Sequence, residues 1–204
     1  ITLLSNTITT ALTGSKGIGI SNSEAVSIIK NNITTFTTVS EGIYISGTIK
    51  SAIIGNIINA INSSNIVLSG GNYVHDVSDN TGNGKPIIYL KNRKNEVINL
   101  LWQDVAELII VNSTNVTVLH ANVSMDSIDL VHVSSSTVTD SMVSSQKSGI
   151  NGISLVDSPM NTIKNNYILR KGMGVASHLS QNVVVYNNTI ITFGSFSPAI
   201  LLSV

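Results

Sequence analysis

Short apolar-polar alternations recur through the chain: Ile18-x-Ile20, Ile43-x-Ile45, Leu108-x-Ile110, Ile128-x-Leu130, Ile153-x-Leu155 and, less cleanly, Val175-x-Ser177. A period of two residues predicts strands with one buried face, and no stretch shows the 3.6-residue period of an amphipathic helix. Downstream of these alternations an Asn-rich step leads into a β-branched residue: Asn31-Asn32-Ile33, Asn56-Ile57, Asn122-Val123, Asn165-Asn166-Tyr167-Ile168 and Asn187-Asn188-Thr189-Ile190. With Ile8, Ile33, Ile57, Val123, Val143, Ile168 and Ile190 as markers, the uninterrupted spacings are 25, 24, 20, 25 and 22 residues. A further apolar pair, as in Val116-x-Val118 and Val183-x-Val185, lies between the other two strands of a repeat.

Three short strands per repeat, separated by polar corners, predict an all-β, right-handed parallel β-helix of about nine coils. One coil cannot bury its inward residues alone, so neighbours stack at ~4.8 Å and share a continuous aliphatic core. The scatter in repeat length argues against a left-handed hexapeptide helix, and the long phase argues against a two-sheet sandwich. The pattern is least regular between Asn72 and Trp102, where Gly, Asp and Lys concentrate around Gly82-Asn83-Gly84-Lys85-Pro86. Residues 72–102 are expected to form a loop or hairpin insertion on an otherwise single domain, 1–204, and such insertions often carry binding surfaces.

Composition supports this reading. Isoleucine and valine supply 29 and 21 of the 204 residues, suited to a pleated core, while asparagine, serine and threonine supply 24, 29 and 18, suited to corners. Charged residues make up 11% of the chain, 11 basic against 11 acidic, well below the roughly 25% of ordinary domains. That balance offers no basic surface for nucleic acid. No apolar run approaches the ~18 residues of a membrane helix, and the absence of cysteine excludes disulfides and thiolate metal sites. Sparse carboxylates suit an acid-tolerant extracellular setting. The apolar segments Ile1-Thr2-Leu3-Leu4 and Ala199-Ile200-Leu201-Leu202 have no polar cap, so the chain is expected to be a module of a larger protein, open to end-to-end packing.

The segment Gly84-Lys85-Pro86-Ile87-Ile88-Tyr89-Leu90-Lys91-Asn92, followed by Ala106-Glu107-Leu108-Ile109-Ile110-Val111-Asn112-Ser113-Thr114-Asn115-Val116-Thr117-Val118, resembles the NosD-like, carbohydrate-binding-and-sugar-hydrolase (CASH) type of β-helix repeat. Ile88 departs from it, standing where a second Tyr is expected. The resemblance implies an exported archaeal or bacterial surface protein. Family roles run from periplasmic copper-site assembly to surface-layer (S-layer) and polysaccharide-processing modules, and the resemblance brings no catalytic motif.

Candidate chemistry is thin. Aligning the repeats puts Asn22, Gly47, Asn112, His132 and Asp157 in one corner column, with His132 and Asp157 on adjacent coils, close enough for an acid/base pair or for plain corner bonding. Asp126 and Asp129 form the close carboxylate pair of a wall strand; three apart, they are expected on opposite faces unless one sits in the corner before Ile128. His75, Asp76, Asp79 and Asp104 flank the insertion as candidates for a calcium or sugar site, with Tyr73, Tyr89 and Trp102 as stacking platforms. A copper reading would draw on His120, His132, Met125, Met142, Met160 and Met173, which lack ligand spacing; no metal set is assigned. The arginines are Arg93 and Arg170. The expected function is a secreted or cell-surface, non-catalytic module with a structural, adhesive or carbohydrate-binding role, whose partners are polysaccharide or neighbouring surface-protein chains. The alternative is a polysaccharide hydrolase or lyase.

Overall fold

A computed structural model describes residues 1–70, 73–195 and 197–203. Its strands are mostly parallel, the described residues contain no helix, and the coils amount to a β-solenoid of about nine turns. The contacts gather into two compact units, Ile1–Ile88 and Tyr89–Val204. No described helix is long and apolar enough to cross a membrane.

In the first unit three walls build up in parallel. One stacks Thr2–Leu4, Ser27–Ile29, Ala52–Ile54 and Asp76–Ser78, the next Thr7–Thr10, Asn32–Thr35, Ile57–Ala60 and Thr81–Gly82, and the third Ile18–Ser21, Ile43–Ser46 and Ile66–Ser69. The predicted phase holds for Ile8 with Ile33 and for Ile18 with Ile43, but the marker at Ile57 is one residue early: Ile33 pairs with Ile58, while Ile57 stands opposite Asn32 and faces solvent. Alternation then turns Ile28, Ile53, Ile33, Ile58, Ile43 and Ile45 inward, where at most 1% of each is exposed. Each such side chain contributes about 1.5–3 kcal/mol over an exposed one.

The corners explain the asparagines. A corner turns the chain from one wall to the next through one left-handed residue, and Ser5, Lys30, Gly55 and Asp79 all have positive φ. The next residue of each coil, Asn6, Asn31, Asn56 or Asn80, joins an amide ladder. Oδ1 of Asn31 accepts from the backbone N–H and Nδ2 of Asn6; Asn56 does the same for Asn31, and Asn80 for Asn56, all at 2.9–3.0 Å. The Nδ2 of Asn56 also donates to the Ile28 and Ile54 carbonyls. These bonds satisfy backbone groups that a tight corner would leave buried and unpaired.

In the second unit the walls run through Lys94–Asn99, Glu107–Leu119, Thr137–Thr139, Thr162–Lys164 and Val184–Tyr186; through Asp104–Val105, Asn122–Val123, Met142–Ser145, Tyr167–Arg170 and Thr189–Thr192; and through Ile128–Ser134, Ile153–Val156, Val175–His178 and Ile200–Leu202. Coils pack closely where glycine permits it. A Cβ on Gly152 would lie 2.5 Å from the Gly174 carbonyl oxygen and 2.6 Å from Ile168 Cγ2.

The break in the repeat is narrower than its sequence suggests. Asn72 lies outside the described residues. Asp76–Ser78 stays parallel to Ala52–Ile54, and Lys94–Asn99 pairs in parallel with the Thr114 to Leu119 stretch. What departs from the parallel pattern is a hairpin, in which Thr81–Gly82 runs antiparallel to the start of Lys85–Lys91. Its turn, Asn83-Gly84, has φ of 51° and 81°, the two left-handed residues of a type I′ turn. Polar, glycine-rich text around one hairpin had masked strands that keep the coil register.

Candidate functional site: a buried charge cluster and two exposed corners

Five ionisable side chains converge inside the second unit. Asp126 and Glu107 are fully buried, as is Arg170, while Lys147 is nearly so and Asp129 reaches solvent in part. Lys147 Nζ lies 3.8 Å from Asp126 Oδ2, and Arg170 Nη1 donates to the Asp126 carbonyl at 2.8 Å. Ser127 Oγ donates to Asp129 Oδ2 at 2.7 Å and lies 3.4 Å from Asp126 Oδ1. Nε and Nη2 of Arg170 have no hydrogen-bond partner among the described residues.

Asp126 occupies the corner ahead of Ile128–Ser134, so strand alternation does not separate it from Asp129, and Ser127 bridges the pair. Burial pushes the Asp129 carboxyl up to about 7. The Ser127 hydrogen bond opposes the shift, the Asp126 charge adds to it, and the Arg170 charge offsets part of it. Asp129 is half-buried, and the shift follows from the protein atoms packed around its carboxyl. Burial also lowers Lys147, against the opposing pull of Asp126 and Glu107, and brings Arg170 down to about 10. The chemistry on offer is a carboxylic acid that titrates near neutrality beside two desolvated cations.

Glu107, Lys147 and Arg170 were not legible as members of this set. Arg170 carried a signal: it occupies the same inward phase as Ile168 in Tyr167–Arg170, where alternation calls for an apolar residue.

His132 and Asp157 do meet. The register pairs Val131 with Val156, and His132 Nδ1 then lies 3.0 Å from Asp157 Oδ2. Both are left-handed corner residues with half-exposed side chains. In the same column Asn112 Nδ2 donates to Asn92 Oδ1 at 2.7 Å, so the His-Asp bond occupies a place where amides link coils elsewhere. Asn22 and Gly47, aligned with this column from sequence, also have positive φ.

The residues expected around the insertion belong to both units. His75 is buried and its Nδ1 accepts the Ser51 N–H at 3.3 Å. Asp76 lies on the exposed face of its strand, and Asp79 continues the Ser5, Lys30, Gly55 corner column. Tyr73 and Tyr89 are half-buried. Asp104 belongs to the second unit, where it accepts Ser124 Oγ at 2.5 Å. No three His, Asp or Glu side chains among the described residues form a metal-ion set. His120 and His132 of the copper reading occupy different corners, each with its own partner.

The remaining platform residue, Trp102, sits in an unusual turn. Leu101 and Trp102 both have positive φ, at 49° and 63°, and Gln103 N–H closes the turn on the Leu100 carbonyl at 2.8 Å. Both side chains are exposed, Leu101 by 77% and Trp102 by 52%. The indole and the His120 imidazole pack at a tilt of 32° with ring centroids 5.2 Å apart. Asn99 Oδ1 accepts the Leu101 N–H and also lies 3.1 Å from His120 Nδ1, so the proton of that second bond belongs to the imidazole.

The chain matches no protein-family model, no curated protein and no solved structure.

Proposed function

We propose that this chain is an exported, surface-type β-solenoid module of the NosD-like, CASH kind, with a structural, adhesive or carbohydrate-binding role and no catalysis of its own. The observation that carries the reading is the enclosure of the charge cluster. Glu107, Asp126 and Arg170 are closed off from solvent, so the convergence of carboxylates with cations lies inside the coil stack and off its surface. Buried ionic groups of this kind lock one packing arrangement and are poorly placed to meet a polymer. Exposed corners, by contrast, present Asn, His and Asp side chains in linear columns suited to a polysaccharide or a neighbouring surface chain.

A glycan array and a reducing-sugar assay on the purified protein, with and without Ca²⁺, test this. Glycan retention without release of reducing ends is expected, and release of sugar overturns the non-catalytic reading. One observation favours a polysaccharide-acting enzyme instead: Asp129 is partly accessible and titrates near neutrality, as a general acid must. Sugar release abolished by Asp129→Asn would establish that second reading.

A further inference from the structure

The corner that carries Trp102 differs from its neighbours in length. Between the same two walls the other coils turn through two residues: His120-Ala121, Asp140-Ser141, Asn165-Asn166 and Asn187-Asn188. The Trp102 coil takes four, Leu100 to Gln103, between Lys94–Asn99 and Asp104–Val105. The two additional residues make a tight turn with consecutive left-handed residues. The protein has another turn of that kind and builds it from Asn83-Gly84, the pair with the least steric cost. Here the pair is Leu-Trp, whose Cβ atoms make left-handed backbone unfavourable, and neither side chain is buried in return. Single exposed apolar residues take this conformation at other corners, as Val39 and Leu179 do, but among the described residues two bulky ones in succession do so only here, and strained, exposed positions gather at binding sites.

The surroundings of the indole indicate the ligand. Trp102 heads a corner column that continues through His120, Asp140, Asn165 and Asn187, all left-handed, at one residue per coil. Asn99 Oδ1 is committed to the turn and to His120, which leaves the Nδ2 of this exposed residue as a donor. A neutral His120 holding its proton on Nδ1 keeps Nε2 as an acceptor. An aromatic face rimmed by a donor and an acceptor matches a pyranose, which has an apolar CH face and a rim of hydroxyls. The charged neighbours down the corner and at its side are the carboxylates of Asp140 and Asp104, which repel uronic acids. A column stepping at ~4.8 Å suits an extended chain of sugar rings.

We propose that the Leu101-Trp102 corner is the carbohydrate contact of this module, with the Trp102 indole stacking on a ring of a neutral glycan and Asn99 and His120 bonding its hydroxyls. The assignment rests on the non-catalytic module reading and names the site within it.

Trp102 is the sole tryptophan of the chain, so its emission reports on this corner alone. Titration of the full chain with cellohexaose, xylohexaose and mannohexaose should shift that emission saturably for at least one sugar, with no response to hexagalacturonate. By calorimetry, the double variant Leu101→Asn, Trp102→Gly should lose at least about tenfold in affinity. The same variant should melt a few degrees higher, because it restores the residues that this turn prefers. Trp102→Phe, which keeps a smaller ring, should bind with intermediate affinity. Absence of any neutral-sugar response, a preference for hexagalacturonate, or unchanged affinity in the double variant would each overturn the assignment. The last result would leave a glycan-binding module whose site lies elsewhere. Failure of the module reading itself would register separately, as reducing ends released in the enzymatic assay.

Discussion

The two units use the same four-residue strand in opposite ways. In the first, Asn32–Thr35 and Ile57–Ala60 follow the Asn ladder, and their last inward residues, Thr35 and Ala60, are small and fully buried. In the second, Met142–Ser145 and Tyr167–Arg170 follow Ser141 and Asn166 of a matching ladder, with the same alternation of buried and accessible residues. The last inward residues there are Ser145 and Arg170. The same backbone therefore accepts an apolar, a hydroxyl or a guanidinium side chain at this position, even though Thr35 Oγ1 and Nε and Nη2 of Arg170 find no hydrogen-bond partner among the described residues. Amides in the first unit answer one another and carry no charge at any pH. Arg170 in the second bonds the Asp126 backbone carbonyl and is balanced by the nearby charges of Asp126 and Asp129, at the cost of desolvating these groups.

This contrast can be broken most sharply at Asp126. Asp126→Ala would leave Lys147 and Arg170 buried without their nearest countercharge, and should cost about 3–5 kcal/mol in chemical denaturation. A loss below ~1 kcal/mol would show that the cluster is solvated in solution.

The next largest effect concerns pH. Asp129 has a folded-state value of about 7 against an ordinary 3.8. Between those values the unfolded chain has lost this proton while the folded protein keeps it, so the carboxyl makes stability fall as pH rises from about 4 to 7, then level off. Asp129→Asn should abolish that decline. It should be near neutral in effect at pH 4 and stabilising by about 2–4 kcal/mol at pH 8. Equal offsets at both pH values would contradict the assignment.

The smallest effect belongs to the first unit. Asn56→Ala removes the acceptor used by Asn31 and the donor to Ile28, and should cost about 1–3 kcal/mol with no dependence on pH between 4 and 8. Thermal melts at both pH values would separate a neutral ladder from a charged one.

How far these features were legible in sequence follows from their range. Asn22 with Gly47 in the first unit, and Asn112 with His132 and Asp157 in the second, could be aligned because a parallel solenoid turns sequence phase directly into adjacency. Asp129 was visible as a carboxylate, yet its environment was not: Lys147 lies outside any strand, Glu107 opens one, and Arg170 takes an inward strand position that alternation reserves for an apolar residue. The Leu101-Trp102 turn was hidden for a related reason. Coil lengths scatter over 20 to 25 residues, so two extra residues at one corner look like ordinary variation until the flanking strands are paired.

The Asn ladder has one more implication. Each amide bonds to the coil beside it and to its own, so the rule for joining one coil to the next is local and repeats without reference to position. A segment of one coil length can then be duplicated or deleted and the surviving amides will meet equivalent partners across the new junction. The number of coils becomes a heritable dial, turned by unequal recombination in whole coils, while the chemistry at any single corner is inherited unchanged.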